Sequence, residues 1–251
     1  AKEKYQLKGH AAAVVAAAYR ADANQLATID INGLVRLWDP LLRNETHQLG
    51  VQEGEARVLN YHPNNQQLIS AGSDGILRTW NLQVPARQQL PAHAAGVSRL
   101  KFSTNGQFII TSDGTQLAIY NTADRQQLRL LEGQQDAVTA IGRSNNDQLV
   151  ASGNALGQLR FWNIADGADR LTVQAGNQPV SEIVFHPDNI RLTSSHRDGL
   201  VRFWKLPVAP VPLEGQVAAV TSLAIRPDGL QAVTTGQDMS VSLWNPAGGA
   251  A

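Results

Sequence analysis

The sequence predicts an all-β fold, a six-bladed β-propeller of four-stranded antiparallel blades. Three observations predict this fold: an aromatic residue recurs at a nearly fixed interval, four short apolar stretches fill each interval, and turn residues separate those stretches. A unit of about 40 residues that repeats along a whole chain is the signature of repeat architectures. Four short strands per unit favour a propeller over a sandwich or a barrel.

The recurring aromatic residues define the units. They are Trp38, Trp80, Tyr120, Trp162, Trp204 and Trp244, at intervals of 42, 40, 42, 42 and 40 residues. The units that they close run roughly over 7–39, 49–81, 90–122, 131–163, 173–205 and 213–245. We interpret residues 1–251 as a single propeller domain, with 246–251 as a tail.

The second unit shows how the strands are predicted within a repeat. Its apolar stretches are Arg57–Tyr61, Gln67–Ala71, Ile76–Trp80 and Arg87–Leu90. The segments between them, HPNNQ, GSDG and NLQVP, contain the Asn, Asp, Gly and Pro that are typical of turns. The equivalent strand-one position is small and apolar in every unit, which predicts a packed innermost strand: Val14, Ala56, Val97, Val138, Val180 and Val220.

The ends of the chain predict how the propeller closes. The last unit stops after Trp244 without an outermost strand, whereas Glu3–Leu7 resembles an outermost strand that precedes the first unit. Pairing of Glu3–Leu7 in the last blade would leave no open strand edge. The sequence therefore predicts a closed, monomeric ring.

Composition limits the function classes. The 251 residues are 43% apolar and 17% charged, the net charge is zero, and there is no cysteine. A neutral chain gives no global attraction for nucleic acid or an acidic membrane, and the longest apolar run, Ala11–Tyr19, is too short to span a bilayer. Absence of cysteine excludes disulfides but leaves the compartment unknown, with a slight preference for the cytoplasm.

The units resemble the WD-repeat family of β-propellers over residues 3–245, through their period and their Gly-His, Asp-Gly and Trp-Asp signals. The resemblance implies a buried network in each unit: His in the turn before the innermost strand, Ser or Thr on the second strand, Asp in the next hairpin, and Trp on the third strand. Such groups satisfy one another's hydrogen bonds.

Carried over position by position, the network is incomplete in every unit. The matching residues are His10, Thr28 and Trp38 with Asn32 in place of Asp; Ser70, Asp74 and Trp80; His93, Thr111, Asp113 and Tyr120, with altered spacing; Ser152 and Trp162; Ser194, Asp198 and Trp204; and Thr234, Asp238 and Trp244. Asp30 is interpreted as a variable hairpin residue, so Asp198→Ala is expected to destabilise the fold more than Asp30→Ala.

No residue pattern predicts catalysis, a cofactor or a metal. The six histidines lack metal-ligand spacing, and Asp74, Asp198 and Asp238 belong to separate blades, too far apart to share a proton. No nucleotide-binding or nucleophile motif occurs. We therefore expect a protein that is not an enzyme.

Recognition is expected where side chains vary within the repeated frame. The candidate partner-binding residues at such positions are Arg57, Arg99, Asp136, Glu182, His196, Arg197 and Gln237. The resemblance implies an interaction scaffold that binds a protein or peptide on the face near the central channel, and the arginines favour a partner with acidic groups.

Two alternatives remain open from the sequence. One is an isolated, trimmed or engineered structural propeller without a dedicated partner. The other is a metal-dependent propeller hydrolase, which is disfavoured because only Glu182 supplies a carboxylate at the variable strand-one positions.

Overall fold

The computed structural model describes residues 6–83, 87–89, 93, 96–206, 209–213, 219–228 and 230–244. Every regular element in these ranges is a β-strand. The described residues contain no helix that is long and apolar enough to cross a membrane. The described strands form six sheets, five with four strands and one with three. The predicted all-β class and the six-sheet organisation of a six-bladed propeller are confirmed.

The strands follow the units in chain order. The first sheet contains β1 (Val14–Tyr19), β2 (Leu26–Asp30), β3 (Leu34–Asp39) and β4 (Asn44–Val51); the second contains β5 (Ala56–Tyr61), β6 (Gln67–Gly72), β7 (Arg78–Asn81) and β8 (Arg87–Gln89); the third contains β9 (Arg99–Phe102), β10 (Phe108–Ser112), β11 (Leu117–Asn121) and β12 (Gln127–Leu131). The fourth contains β13 (Val138–Arg143), β14 (Leu149–Asn154), β15 (Gln158–Asn163) and β16 (Asp169–Gln174); the fifth contains β17 (Val180–Phe185), β18 (Arg191–His196), β19 (Val201–Lys205) and β20 (Ala209–Leu213); the sixth contains β21 (Val220–Ile225), β22 (Ala232–Gly236) and β23 (Val241–Trp244).

Neighbours in a sheet are neighbours in sequence, so each sheet is an antiparallel meander. The predicted pairing of Glu3–Leu7 in the last blade involves residues 3–5, which lie outside the described residues, and so does the tail 246–251. Ring closure, the monomeric state and the single-domain organisation stay predictions.

The chain divides into two compact units, one of residues 1–113 with 120–127 and one of residues 114–119 with 128–251. In the first unit Ile29, Leu37, Leu59 and Trp80 belong to one buried apolar cluster. In the second unit the main cluster contains Phe161, Ile183, Leu192 and Trp204. Second strands are buried at nearly every position, as β6, β14 and β18 show.

A β-bulge recurs where the first and second strands meet. In five sheets the strand pairing skips one residue of the first strand, in the order Val15, Arg57, Thr139, Ser181 and Thr221. The Thr221 hydroxyl donates to the second-strand carbonyl of Thr235 at 3.1 Å, and the Thr139 hydroxyl donates to the Val180 carbonyl of the next sheet at 2.6 Å. A bulge re-aims the extra side chain, so the same irregularity directs Arg57 away from the regular ladder.

Candidate functional site

The first sheet contains a complete buried network. The Nδ1 and Nε2 atoms of His10 lie 2.8 Å from Asp30 Oδ2 and 2.6 Å from Thr28 Oγ1, and the Trp38 indole N–H donates to the same hydroxyl at 2.7 Å. The other Asp30 oxygen accepts the Leu34 N–H. Burial opposes ionisation of Asp30, but the His10 and backbone hydrogen bonds outweigh it and lower the pKa of this carboxyl.

The carboxylate in this network is Asp30, which corrects the assignment of Asn32 to the carboxylate position. Asp30 lies two residues after Thr28, at the end of β2, and is 2% exposed. The third unit has the same spacing: His93 Nε2 lies 2.6 Å from Thr111 Oγ1 and His93 Nδ1 lies 3.2 Å from Asp113 Oδ2. The two-residue Thr-to-Asp spacing is therefore the one that brings the carboxylate to the histidine, because side chains two residues apart on a strand lie on the same face. Tyr120 packs edge-on against His93.

Asp74, Asp198 and Asp238 stand four residues after the network hydroxyls and are turn residues instead. Each Oδ1 atom accepts the backbone N–H group of the residue two positions later in the chain. The donors are Ile76, Leu200 and Ser240, at 3.1, 2.9 and 3.0 Å. Asp74 pairs with Arg78 and Asp198 with Arg202. The sequence interpretation of these three carboxylates as network members is therefore wrong, because the strand has ended before them and their side chains fold back on the hairpin.

The remaining Trp–hydroxyl pairs have the predicted spacing of ten residues. The indole N–H groups of Trp80, Trp204 and Trp244 donate to Ser70, Ser194 and Thr234 at 2.8, 2.9 and 2.8 Å. In the fourth unit the Gln134 amide donates to Ser152, and Trp162 is 1% exposed.

His196 is not a surface residue, and its assignment as a partner contact is corrected. It is the last residue of β18 and is fully buried, with Nε2 at 2.9 Å from Ser194 Oγ. It occupies the strand position of Asp30, while Gly176 takes the place of the turn histidine and leaves room for its ring. Burial and, next, the nearby Arg202 lower the pKa of His196 to about 4, so this imidazole is neutral.

The Thr28–His10–Asp30 contacts have the connectivity of a nucleophile, a base and an orienting acid. They cannot act in that way, because Thr28 is 8% exposed and its hydroxyl accepts the Trp38 indole, which leaves a substrate no approach. Within the described ranges, no three His, Cys, Asp or Glu side chains are grouped as metal ligands would be. The network stabilises the sheet and offers no chemistry to solvent.

The other candidate contacts differ in their exposure. Arg57 and Arg99 of the first unit are exposed, as are Arg197 and Gln237 of the second. Asp136 and Glu182, both in the second unit, are half-buried, and Asp136 accepts the Ala137 N–H. β5 and β9, which carry Arg57 and Arg99, contact each other within the first unit.

Most arginines are already neutralised by a neighbour. Nine of them form ion pairs with Asp or Glu in the described part of the chain: Arg20, Arg36, Arg78, Arg143, Arg160, Arg170, Arg191, Arg202 and Arg226. By contrast, no described residue forms an ion pair with, or accepts a hydrogen bond from, the guanidinium of Arg57 or of Arg197. Two exposed cations without counter-charges are the groups best able to bind an external carboxylate.

A polar cavity of about 190 Å³ in the second unit is lined by Gly133, Gln134, Gln135, Gln158, Arg160 and Thr172. Arg160 is the charged residue in its lining, and its guanidinium already donates hydrogen bonds to Asp169 and to the Gly133 carbonyl. The Gln158 amide bonds Asn154 and Gln135. This cavity therefore presents no unpaired charge to a ligand.

Known proteins share this repeat. The family model for the WD domain, G-beta repeat, matches residues 1–39, 46–81, 85–120, 125–163, 169–205 and 211–245. Similar proteins include the B-type cell cycle switch protein ccs52B of Medicago truncatula, 28% identical over 85% of this chain and 45% of that protein. "Cell division cycle 20.1, cofactor of APC complex" of Arabidopsis thaliana is 28% identical over 86% of this chain and 50% of its own length.

A third relative, the guanine nucleotide-binding protein subunit beta of Oryza sativa subsp. japonica, is 20% identical over 89% of this chain and 66% of that protein. The chain spans about half the length of the first two relatives. Because six family matches cover most of the sequence, the chain belongs to the WD-repeat family.

Proposed function

We propose that this chain is a non-enzymatic interaction scaffold that binds a protein or peptide with acidic groups. In the first unit the proposed contacts are Arg57 and Arg99, near the starts of β5 and β9. In the second unit they are Arg197, Asp136, Glu182 and Gln237.

The observation that carries the proposal is which arginines have a carboxylate partner and which have none. Nine arginines have a carboxylate partner in the described residues, whereas Arg57 and Arg197 are exposed without one. An unpaired guanidinium can bind a carboxylate through two parallel hydrogen bonds, with no internal ion pair to break first.

The bulge supplies a second argument for Arg57. The Thr139 and Thr221 side chains at the same repeat position donate to the backbone carbonyls of Val180 and Thr235. No described residue holds Arg57 in that way. A position that two of the repeat equivalents use for a backbone hydrogen bond is therefore available for recognition at Arg57.

Relatives support the general class of function. One is named a cofactor of a complex and another a subunit of a guanine nucleotide-binding protein, and both names describe assembly with other proteins. A propeller scaffold is a rigid frame on which such contacts are placed.

A random peptide display library tests the proposal. Selection on the wild-type chain is expected to enrich Asp and Glu, and the Arg57→Ser/Arg99→Ser/Arg197→Ser variant is expected to lose that enrichment. The control replaces the exposed, ion-paired Arg170 and Arg226 by Ser, which removes cations elsewhere. Selection of no peptide would favour a propeller without a dedicated partner. Equal enrichment by the triple variant would contradict the proposal.

A further inference from the structure

The hairpins that join second and third strands obey a local rule. A glycine with positive φ completes the turn in four of them: Gly33 (φ 85°), Gly75 (φ 72°), Gly157 (φ 78°) and Gly199 (φ 83°). In two of the four an Asp precedes the glycine, and the carboxylates of these residues, Asp74 and Asp198, accept a turn N–H. Two hairpins of the second unit break this rule, and each does so with a large apolar residue.

Met239 takes the glycine position in the sixth hairpin. Its φ is 63°, a left-handed conformation that disfavours any side chain other than glycine, Asn or Asp. Its side chain is 95% exposed, so burial gives nothing in return for the backbone strain. A strained and solvent-exposed apolar residue is one of the observations that suggest a functional contact.

Leu156 takes the Asp position in the fourth hairpin. The turn does not lose its cap, because Asn154 Oδ1 accepts the Leu156 and Gln158 N–H groups at 3.1 and 2.9 Å. Leu156 is therefore released from the capping role that Asp74 and Asp198 have, and it is 47% exposed. The replacement costs the hairpin nothing and adds apolar surface.

Arg197 stands in the fifth hairpin, between these two residues in the order of the sheets. β13 contacts β17, and β17 contacts β21, so the fourth, fifth and sixth sheets are consecutive neighbours within the second unit. Their hairpins join the same pair of strands and so lie at the same end of the sheets. The three hairpins present an apolar, a cationic and an apolar side chain in turn.

We propose that these three hairpins bind an extended segment of a partner protein that carries an acidic residue between two apolar residues. The proposal rests on the scaffold function proposed above and specifies its ligand. Packed sheets lie about 10 Å apart and an extended chain advances about 3.3 Å per residue. Each step between hairpins therefore corresponds to about three residues, so the partner segment has the form apolar-x-x-acidic-x-x-apolar.

The test uses a synthetic peptide array in which Leu and Glu are placed at every spacing from one to five residues, on a Ser-Gly background. Binding of the array to the full chain is measured for the wild type, for Met239→Gly/Leu156→Asp, and for Arg170→Ser/Arg226→Ser, a control that removes two exposed, ion-paired arginines elsewhere. The first double variant restores the residues that the other hairpins use. Its melting temperature is expected to equal or exceed that of the wild type, so that loss of binding cannot be assigned to loss of folding.

The wild type is expected to prefer the peptide with acidic and apolar residues three apart, and Met239→Gly/Leu156→Asp is expected to weaken that binding about tenfold, as loss of interface anchors does. The Arg170→Ser/Arg226→Ser variant is expected to bind as the wild type does. Wild-type affinity and spacing preference in Met239→Gly/Leu156→Asp would overturn this inference and leave the scaffold function standing. Absence of binding to any acidic peptide would count against both.

Discussion

The imidazole Nδ1 of His10 lies 2.8 Å from the carboxylate of Asp30, and the two side chains are 7% and 3% exposed. This bond joins the turn before the innermost strand to the end of the second strand. Asp198, which the repeat pattern equates with the same role, is 23% exposed and pairs with Arg202 at 3.3 Å. The two carboxylates therefore differ in what they contribute to the fold.

Asp30→Ala is expected to destabilise the protein more than Asp198→Ala. Removal of Asp30 leaves the buried His10 without its partner, which costs about 1–3 kcal/mol, whereas a partly exposed ion pair contributes about 1 kcal/mol or less. Urea unfolding at pH 7 measures both free energies. The sequence alone predicts the opposite order, so equal or reversed losses would show that the buried network is not the stabilising element.

Acidification is expected to destabilise the fold through His196. Its pKa falls to about 4 in the folded state from 6.5 in the unfolded chain, because burial excludes the charged form. Between these values the unfolded state binds a proton that the folded state does not, so stability rises with pH in this window and is lost as the pH falls.

His196→Gln is expected to remove about 2 kcal/mol of the difference in unfolding free energy between pH 7 and pH 5. His47→Gln is the control, since His47 is exposed on β4. If both variants keep the pH dependence of the wild type, titration of His196 does not contribute to it.

Gly106→Ala is expected to be far more damaging than Gly114→Ala. Both glycines have positive φ, 73° and 102°. A Cβ at Gly106 would lie 2.3 Å from the His62 ring, whereas a Cβ at Gly114 would meet nothing within 4 Å. Overpacking costs about 1–3 kcal/mol beyond the shared backbone strain. Thermal unfolding compares the two variants. Equal decreases in melting temperature would mean that the His62 ring moves aside without an energetic cost.

Ala23 offers a stabilising substitution. It has φ 59° in the turn between β1 and β2, where the equivalent turns have Asn65, Gly106, Asp147 and Asn189. Ala23→Gly is expected to raise the free energy of unfolding by about 0.5–1 kcal/mol, because glycine adopts this conformation without steric cost. Ala21→Gly is the control, and a similar gain there would remove the conformational explanation.

The sequence predicts the repeat units and their Trp–hydroxyl pairs well, because the signals for these features are local and repeated. The ten-residue interval from Thr28 to Trp38 recurs at Ser70, Ser194 and Thr234, and each time it yields an indole-to-hydroxyl hydrogen bond. The recurrent bulge at Arg57 has no such signal, since Val, Arg, Thr and Ser all occupy it. A bulge depends on pairing register, which residue identity alone does not reveal.

The network carboxylates were harder to predict for a physical reason. Asp74 and Asp198 each precede a glycine, which makes them a visible recurring pair in the sequence, yet they cap turns. The network position two residues earlier holds Asp30, but Gly72 and His196 in those two units. A buried site tolerates such exchanges when a neighbour refills the space, as His196 does beside Gly176.

The central claim is that acidic groups of a ligand bind Arg57, the second residue of β5. Hydrogen exchange, measured by mass spectrometry with and without a peptide selected by display, tests this most directly. The account predicts protection at the starts of β5 and β9 and in the hairpin that carries Arg197. Protection confined to the turns near His62 and His186, at the opposite ends of the first strands, would contradict it.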